Sequence, residues 1–249
     1  DKAIVQELKR DNKKERREHE SQQGYLFDPP YKLGNMPSAF AELAAAADNN
    51  LNDVLAKERQ YAQLVQGTSY LNARFLADTW CAAFFWKKDN SDLGKLCPTE
   101  RLFRRIENSP HDVLPFVREE VRRLASQYQI LHWHLAFPDV FRVIGHAISS
   151  PSNEQTGWDG GFDVVLGNPP WEKLQTEELQ FFAAKAPDIA AMTGSKRKEA
   201  IKSLQSSDPQ LAKEWLAQKR FDAATISFVR DSRYFPQTGV GKFNTYALF

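Results

Sequence analysis

The sequence predicts an α/β protein in which a mainly helical first part leads into a sheet-bearing second part, and three observations carry that expectation. Residues up to about 130 repeat apolar side chains at helical spacing. Phe162 to Leu166 form a short apolar run, interrupted only by Asp163, of the kind covered on both faces in a parallel sheet. That run passes into Gly167-Asn-Pro-Pro-Trp171, whose prolines stop a ladder, so a polar tip falls at a strand's C-terminal end, where open α/β sheets bind ligands.

The elements follow in order. Residues 1 to about 20 are dense in Lys, Arg and Glu; interleaved Glu7, Glu15, Glu18 and Glu20 favour a solvated helix over a basic arm for phosphate contact. Tyr25 to Pro37 reads as an extended connection. Ser38 to Gly67 reads as one or two helices, with Ser38 a candidate cap, and Leu71, Phe75, Ala82 and Phe85 mark a further helical face. Thr99 is placed to cap a helix from Glu100, and Val113, Val117, Val121, Leu124 and Tyr128 recur at helical spacing. His132 and His134 flank Trp133 but have no convincing third metal ligand, so a structural role is expected and no metal. Ser149 to Gly161 is a polar loop before the Phe162 strand. Beyond the motif, Thr176 is a candidate cap, Phe181 and Phe182 either fill a core or close over a bound group, and Asp208-Pro209 start a longer helix. The expected division is residues 1–130 as a helical insertion or connecting layer and 131–249 as the region that carries the motif.

Composition supports a folded core: apolar residues make up 42% and charged residues 26%. A formal charge of +1 neither requires nor excludes a nucleic-acid partner, because a balanced chain can still carry a local basic face. Cys81 and Cys97 form no metal or disulfide pattern and are expected to remain thiols in a cytoplasmic protein, and no apolar run suggests a membrane span. Gly239-Val-Gly-Lys242 is not a phosphate-binding P-loop, since Pro236 and Phe243 stand where that motif needs Gly and Ser or Thr.

The motif suits transfer to an exocyclic amine. The lone pair of an adenine amino group is delocalised into its ring, and two acceptors that take its hydrogens make it more nucleophilic. Asn168 offers a side-chain carbonyl and Pro169 a backbone carbonyl, while the Trp171 indole offers a face for an extruded base, worth roughly 1–3 kcal/mol in comparable sites.

Asn168-Pro-Pro-Trp171 resembles the Asn/Asp-Pro-Pro-aromatic motif of S-adenosylmethionine-dependent amino-group methyltransferases. The longer stretch Phe162 to Glu172 is similar to the form in Eco57I-like adenine-specific DNA methyltransferases of bacterial restriction-modification and phage-defence systems. Leu76 to Phe85, Leu131 to Phe141 and Gly241 to Phe249 resemble further segments of that group. The resemblance implies a partial Rossmann-like class I methyltransferase sheet, and S-adenosylmethionine as methyl donor. It also implies double-stranded DNA as partner, with a fused or separate restriction nuclease or other defence subunits. Residue by residue it gives Asn168 and Pro169 the acceptor roles, Pro170 the loop shape and Trp171 the stacking surface, with Asn168 also at the cofactor. Tryptophan replaces the more usual Tyr or Phe of the wider superfamily and preserves the stacking face.

Lys196, Arg197 and Lys198 cluster close in sequence to the motif and are expected at the DNA backbone, with Lys242 on the target-base side. The glycine-rich cofactor turn of these enzymes has no counterpart before Asn168, so the chain is read as an internal piece of a longer enzyme. The expected activity is site-specific adenine N6 methylation. Two other readings stay open: a noncatalytic DNA-binding or assembly module with a degenerate methyltransferase fold, and a protein-glutamine methyltransferase, because a side-chain amide also presents an NH2 group.

Overall fold

The computed structural model describes residues 2–23, 36–143, 158–168, 171, 174, 176–232, 234–235 and 245–248. The chain forms two compact units, Asp1–Val165 and Leu166–Phe249.

The first unit is built around helix α4 (Thr68–Phe85), which follows α1 (Lys2–Gln23), α2 (Met36–Ala45) and α3 (Leu51–Gln66). Phe75, Leu76, Ala77, Asp78, Thr79, Cys81, Ala82 and Phe85 are all buried, and at 100° per residue they point in every direction. A helix buried all round must be covered on several sides. The cover comes from α3, α6 (Glu100–Asn108), α7 (Pro115–Gln127) and the single turn α8 (Trp133–Ala136). A further short turn, α5 (Asp92–Lys95), links α4 to α6. Helix α7 turns Val117, Val121, Leu124 and Ala125 inward as one stripe, and its cap Tyr128 stacks on Phe85 at 3.9 Å.

Helix ends are closed largely by side chains other than those the sequence suggests: Ser38, a candidate cap, lies inside α2, and Thr99 makes no side-chain cap bond. Asn50 accepts from the Asp53 amide at 3.1 Å and starts α3. Thr99 stands at the start of α6 as expected, but the free amides of that helix are met by α1: Glu100 N–H donates to Asn12 at 2.7 Å and Arg101 N–H to Glu15 at 3.0 Å. The mixed-charge first helix is therefore docked through Glu15, with Ile4 buried beneath it. The expected connection Tyr25 to Pro37 lies mostly outside the described residues, and its last two residues open α2.

The expected Rossmann-like sheet is overturned. Among the described residues the β-structure is one antiparallel ladder, β1 (Phe141–Val143) with β2 (Trp158–Gly160), in the register Phe141↔Gly160, Arg142↔Asp159 and Val143↔Trp158. All other regular structure among them is helical. Phe162 to Leu166, expected as a covered strand, joins no ladder among the described residues, and Leu166 is 91% exposed. The run of β-branched residues favours extended backbone, but a strand exists only where a neighbour pairs with it, and such pairing is not encoded in the run itself. Part of the loop expected over Ser149 to Gly161 is instead β2. Gly160 and Gly161 leave it at φ +89° and +148°, conformations that glycine adopts without strain.

The second unit is a helical cluster: α9 (Glu178–Lys185), α10 (Pro187–Ala190), α11 (Gly194–Ser207) and α12 (Pro209–Asp231), followed by a 3-10 turn at Thr245–Leu248. Phe182, Ile189, Leu204, Ala212 and Trp215 form its core, and Asp208 caps α12 by accepting from Leu211 N–H at 3.0 Å. Phe182 is fully buried, which gives it the core role of its two readings. Among the described residues no helix is long and apolar enough to cross a membrane.

The end of α7 sets up the approach to α8. Ile130 N–H donates to Ala125 O at 3.0 Å and Gln129 N–H to Ser126 O at 3.3 Å, a Schellman closure with Gln129 in the left-handed region at φ +47°. Replacement of Gln129 by Gly is expected to raise stability by about 0.5–1 kcal/mol and by Val to lower it, read as opposite shifts of the urea midpoint.

Candidate functional site

In the first unit, the segment that leads to the motif is tied to α4 through α8. Asp78 is 6% exposed, and a buried carboxyl group needs donors. His132 Nε2 lies 2.8 Å from Asp78 Oδ1, and Arg74 Nε lies 3.7 Å from Oδ2. Leu135, 1% exposed, packs with Ala77, Phe40 and Met36, so α8 is held by a polar and an apolar contact one turn apart. Two segments that resemble the same enzyme group, Leu76 to Phe85 and Leu131 to Phe141, are thus joined by their own polar residues.

This docking turns an aromatic shelf outward. Trp133 and Phe137 stand four residues apart and stack at 5.9 Å and 22°. Phe162 meets Trp133, Phe137 and Phe141 edge-on, at 5.8, 5.2 and 5.2 Å. Edge-to-face geometry places ring hydrogens against the π-cloud, and each such pair contributes about 0.5–1.5 kcal/mol beyond area burial. The chain is therefore fixed at Phe162, six residues before Asn168. Val164, Val165 and Leu166 are 71%, 77% and 91% exposed.

In the second unit, Gly167 and Asn168 are exposed and belong to no helix or strand, and the Trp171 indole is 78% exposed. Pro169, Pro170 and Lys242 lie outside the described residues. Downstream, Thr176 does not cap α9; that place falls to Glu177. The Thr176 N–H donates to Asp222 Oδ2 at 2.8 Å and the Thr176 hydroxyl to Oδ1 at 3.2 Å. Gln218 Nε2 donates to Thr176 Oγ1 at 3.0 Å and to Asp222 Oδ1 at 2.8 Å. Neither Asp222 nor Gln218 stood out in the sequence as part of a site. The signal present was a polar pair four residues apart on one helix, separated by Lys219, Arg220 and Phe221, without any hint of its partner 46 residues before Asp222.

The three expected backbone-contact cations lie in the first part of α11. Lys196 and Lys198 are exposed, whereas Arg197 is half-buried and its Nη1 donates to Ala190 O at 3.3 Å and Met192 O at 3.4 Å. Cys81 and Cys97 are buried free thiols, pushed up to about 12 and about 11 by burial, which keeps both from acting as nucleophiles. Among the described residues no group of three or more His, Cys, Asp or Glu is placed to hold a metal ion.

Comparison with known families matches residues 54–205 to the Eco57I restriction-modification methylase family. That is more than half of the 249 residues, and the chain belongs to this family of adenine methyltransferases. No curated protein and no solved structure matches the chain. The family uses S-adenosylmethionine, but the described residues form no cradle for it. The strand β2 passes through Gly161 directly to Phe162 without opening a helix, and the residues that follow β1 lie outside the described ones.

His134 gives the α8 region a pH dependence. Burial, then the neighbouring His132, pushes its imidazole down from 6.5 to about 4. Between those values the unfolded chain binds a proton that the folded chain refuses, so the contribution is fully present above about 6.5 and is lost as pH falls toward 4. Folding stability of the wild type is expected to drop by about 1–3 kcal/mol more than that of a His134→Gln variant over this window, measured by urea unfolding at a series of pH values.

Proposed function

We propose that the Asn168–Trp171 loop is the target-base site of a site-specific DNA adenine N6-methyltransferase. The observation that carries this reading is the family match, whose span 54–205 includes both the loop and the Lys196–Lys198 cluster. The exposure of Asn168 and Trp171 supports it, since an acceptor and an indole that receive an external base have to be reachable.

In this reading an adenine leaves the DNA stack and lies against Trp171. The Asn168 side-chain carbonyl and the Pro169 backbone carbonyl accept the two N6 hydrogens, which draws the amino lone pair out of the ring and aims it at the methyl donor. The donor is S-adenosylmethionine, and the chemistry assigned to this loop concerns the base alone. Double-stranded DNA is the partner, with a nuclease of the same defence system fused or separate. Lys196 and Lys198 contact the phosphate backbone. A second reading, a noncatalytic DNA-binding or assembly module, is favoured by one observation: the described residues lack a cofactor cradle.

The two readings separate in one assay. The full-length protein is expected to transfer label from S-adenosylmethionine to unmethylated DNA, recovered as N6-methyladenine, and Asn168→Ala is expected to lower the rate by at least about 100-fold with the fold intact. Normal turnover of the variant removes Asn168 from the mechanism, and tight DNA binding without transfer by the wild type favours the noncatalytic module. Lys196→Ala with Lys198→Ala is expected to weaken DNA binding at every sequence and to reduce the slope of log K against log salt by about 1 per lost contact, measured by fluorescence anisotropy.

A further inference from the structure

We propose that Asp222 is a positioning residue for methyl transfer: its carboxyl group holds Thr176 in place, and so fixes the downstream end of the Asn168–Trp171 loop. The proposal rests on the function assigned to that loop. Asp222 is 7% exposed and accepts from Thr176 N–H, from the Thr176 hydroxyl and from Gln218. The Thr176 hydroxyl closes the ring, since it donates to Asp222 and accepts from Gln218. A residue without a hydroxyl at 176 removes one bond from the Gln218 amide and one from Asp222 Oδ1, which then keep only each other.

The helices of this unit do not need the triad in order to assemble. Phe182, Ile189, Leu204, Ala212 and Trp215 already bring α9, α10, α11 and α12 together. What the triad adds is a hold on the chain ahead of α9, which begins at Glu178. Thr176 is five residues from Trp171, a reach of at most about 17 Å of extended chain. Release of this tether removes the hold at Thr176, and a misplacement of about 1 Å costs on the order of 100-fold in a reaction that depends on alignment. Binding of DNA through its backbone does not share this sensitivity.

The test uses the full-length protein with Asp222→Ala, Thr176→Val and Thr176→Ser. Steady-state methylation of unmethylated DNA gives kcat and KM, and hydrogen exchange read by mass spectrometry follows the Thr176 amide. Asp222→Ala and Thr176→Val are expected to lower kcat about 10–100-fold while KM for DNA stays within about 2-fold, and Thr176→Ser, which keeps the hydroxyl, is expected to retain most of the wild-type rate. Exchange at Thr176 is expected to accelerate in Asp222→Ala. If Asp222→Ala does not fold, Thr176→Val carries the test, because it leaves Asp222 two of its donors. The proposal is overturned if Thr176→Val turns over like the wild type, or if its loss of rate matches that of Thr176→Ser and follows only a lowered melting temperature. An inactive wild type overturns the proposed function itself, whereas an active wild type with equally active variants overturns the positioning role alone.

Discussion

An acidic side chain buried on a helix has to be given donors, because a buried carboxyl group left without them costs about 1–3 kcal/mol or more. Each unit of this chain meets that demand with a residue distant in sequence. In the first, Asp78 on α4 takes His132, which seats α8 and turns the Trp133, Phe137 and Phe141 rings toward Phe162. In the second, Asp222 on α12 takes Thr176. The stretch of sequence that carries the proposed chemistry lies between Phe162 and Thr176, so the residues on either side of the motif are held by contacts whose polar centre is a buried Asp. The apolar cores supply most of the stability, but they do not specify where these flanking residues sit.

The function proposed for the loop places few demands on covalent chemistry. Two carbonyl acceptors and an aromatic face have to be held in one arrangement while a base arrives from outside, which is a problem of orientation and access. Exposure of Asn168 and Trp171 suits the arrival step, and fixed flanks suit the orientation step. Membership of the Eco57I restriction-modification methylase family joins these local features to adenine methylation as a class of activity.

Much of the helical scaffold was legible because its signals are local. The spacing of Val117, Val121 and Leu124 gave the inward face of α7, and Asp208-Pro209 gave the start of α12. The sheet was misread because Phe162 to Leu166 carries the composition of a central strand while the partner strands that would make it one are not written in it. In the structure Phe162 packs edge-on against rings and the following three residues are exposed. The motif residues could be singled out from chemistry alone, since an amide, two prolines and an indole at a chain tip fit a narrow set of tasks. Their supports could not: Asp222 and Asp78 look like ordinary helix residues until their partners, 46 and 54 residues away, are in place.

Photo-crosslinking tests the central claim, that an adenine comes to rest on the Trp171 face, most directly. The full-length protein is bound to duplex DNA that carries 8-azidoadenine in place of adenine, irradiated, and digested for mass spectrometry. The account predicts that the nucleobase adduct is recovered on the peptide that contains Trp171 and disappears when an excess of unmodified duplex competes. Adducts confined to other peptides, with none at Trp171, would contradict it.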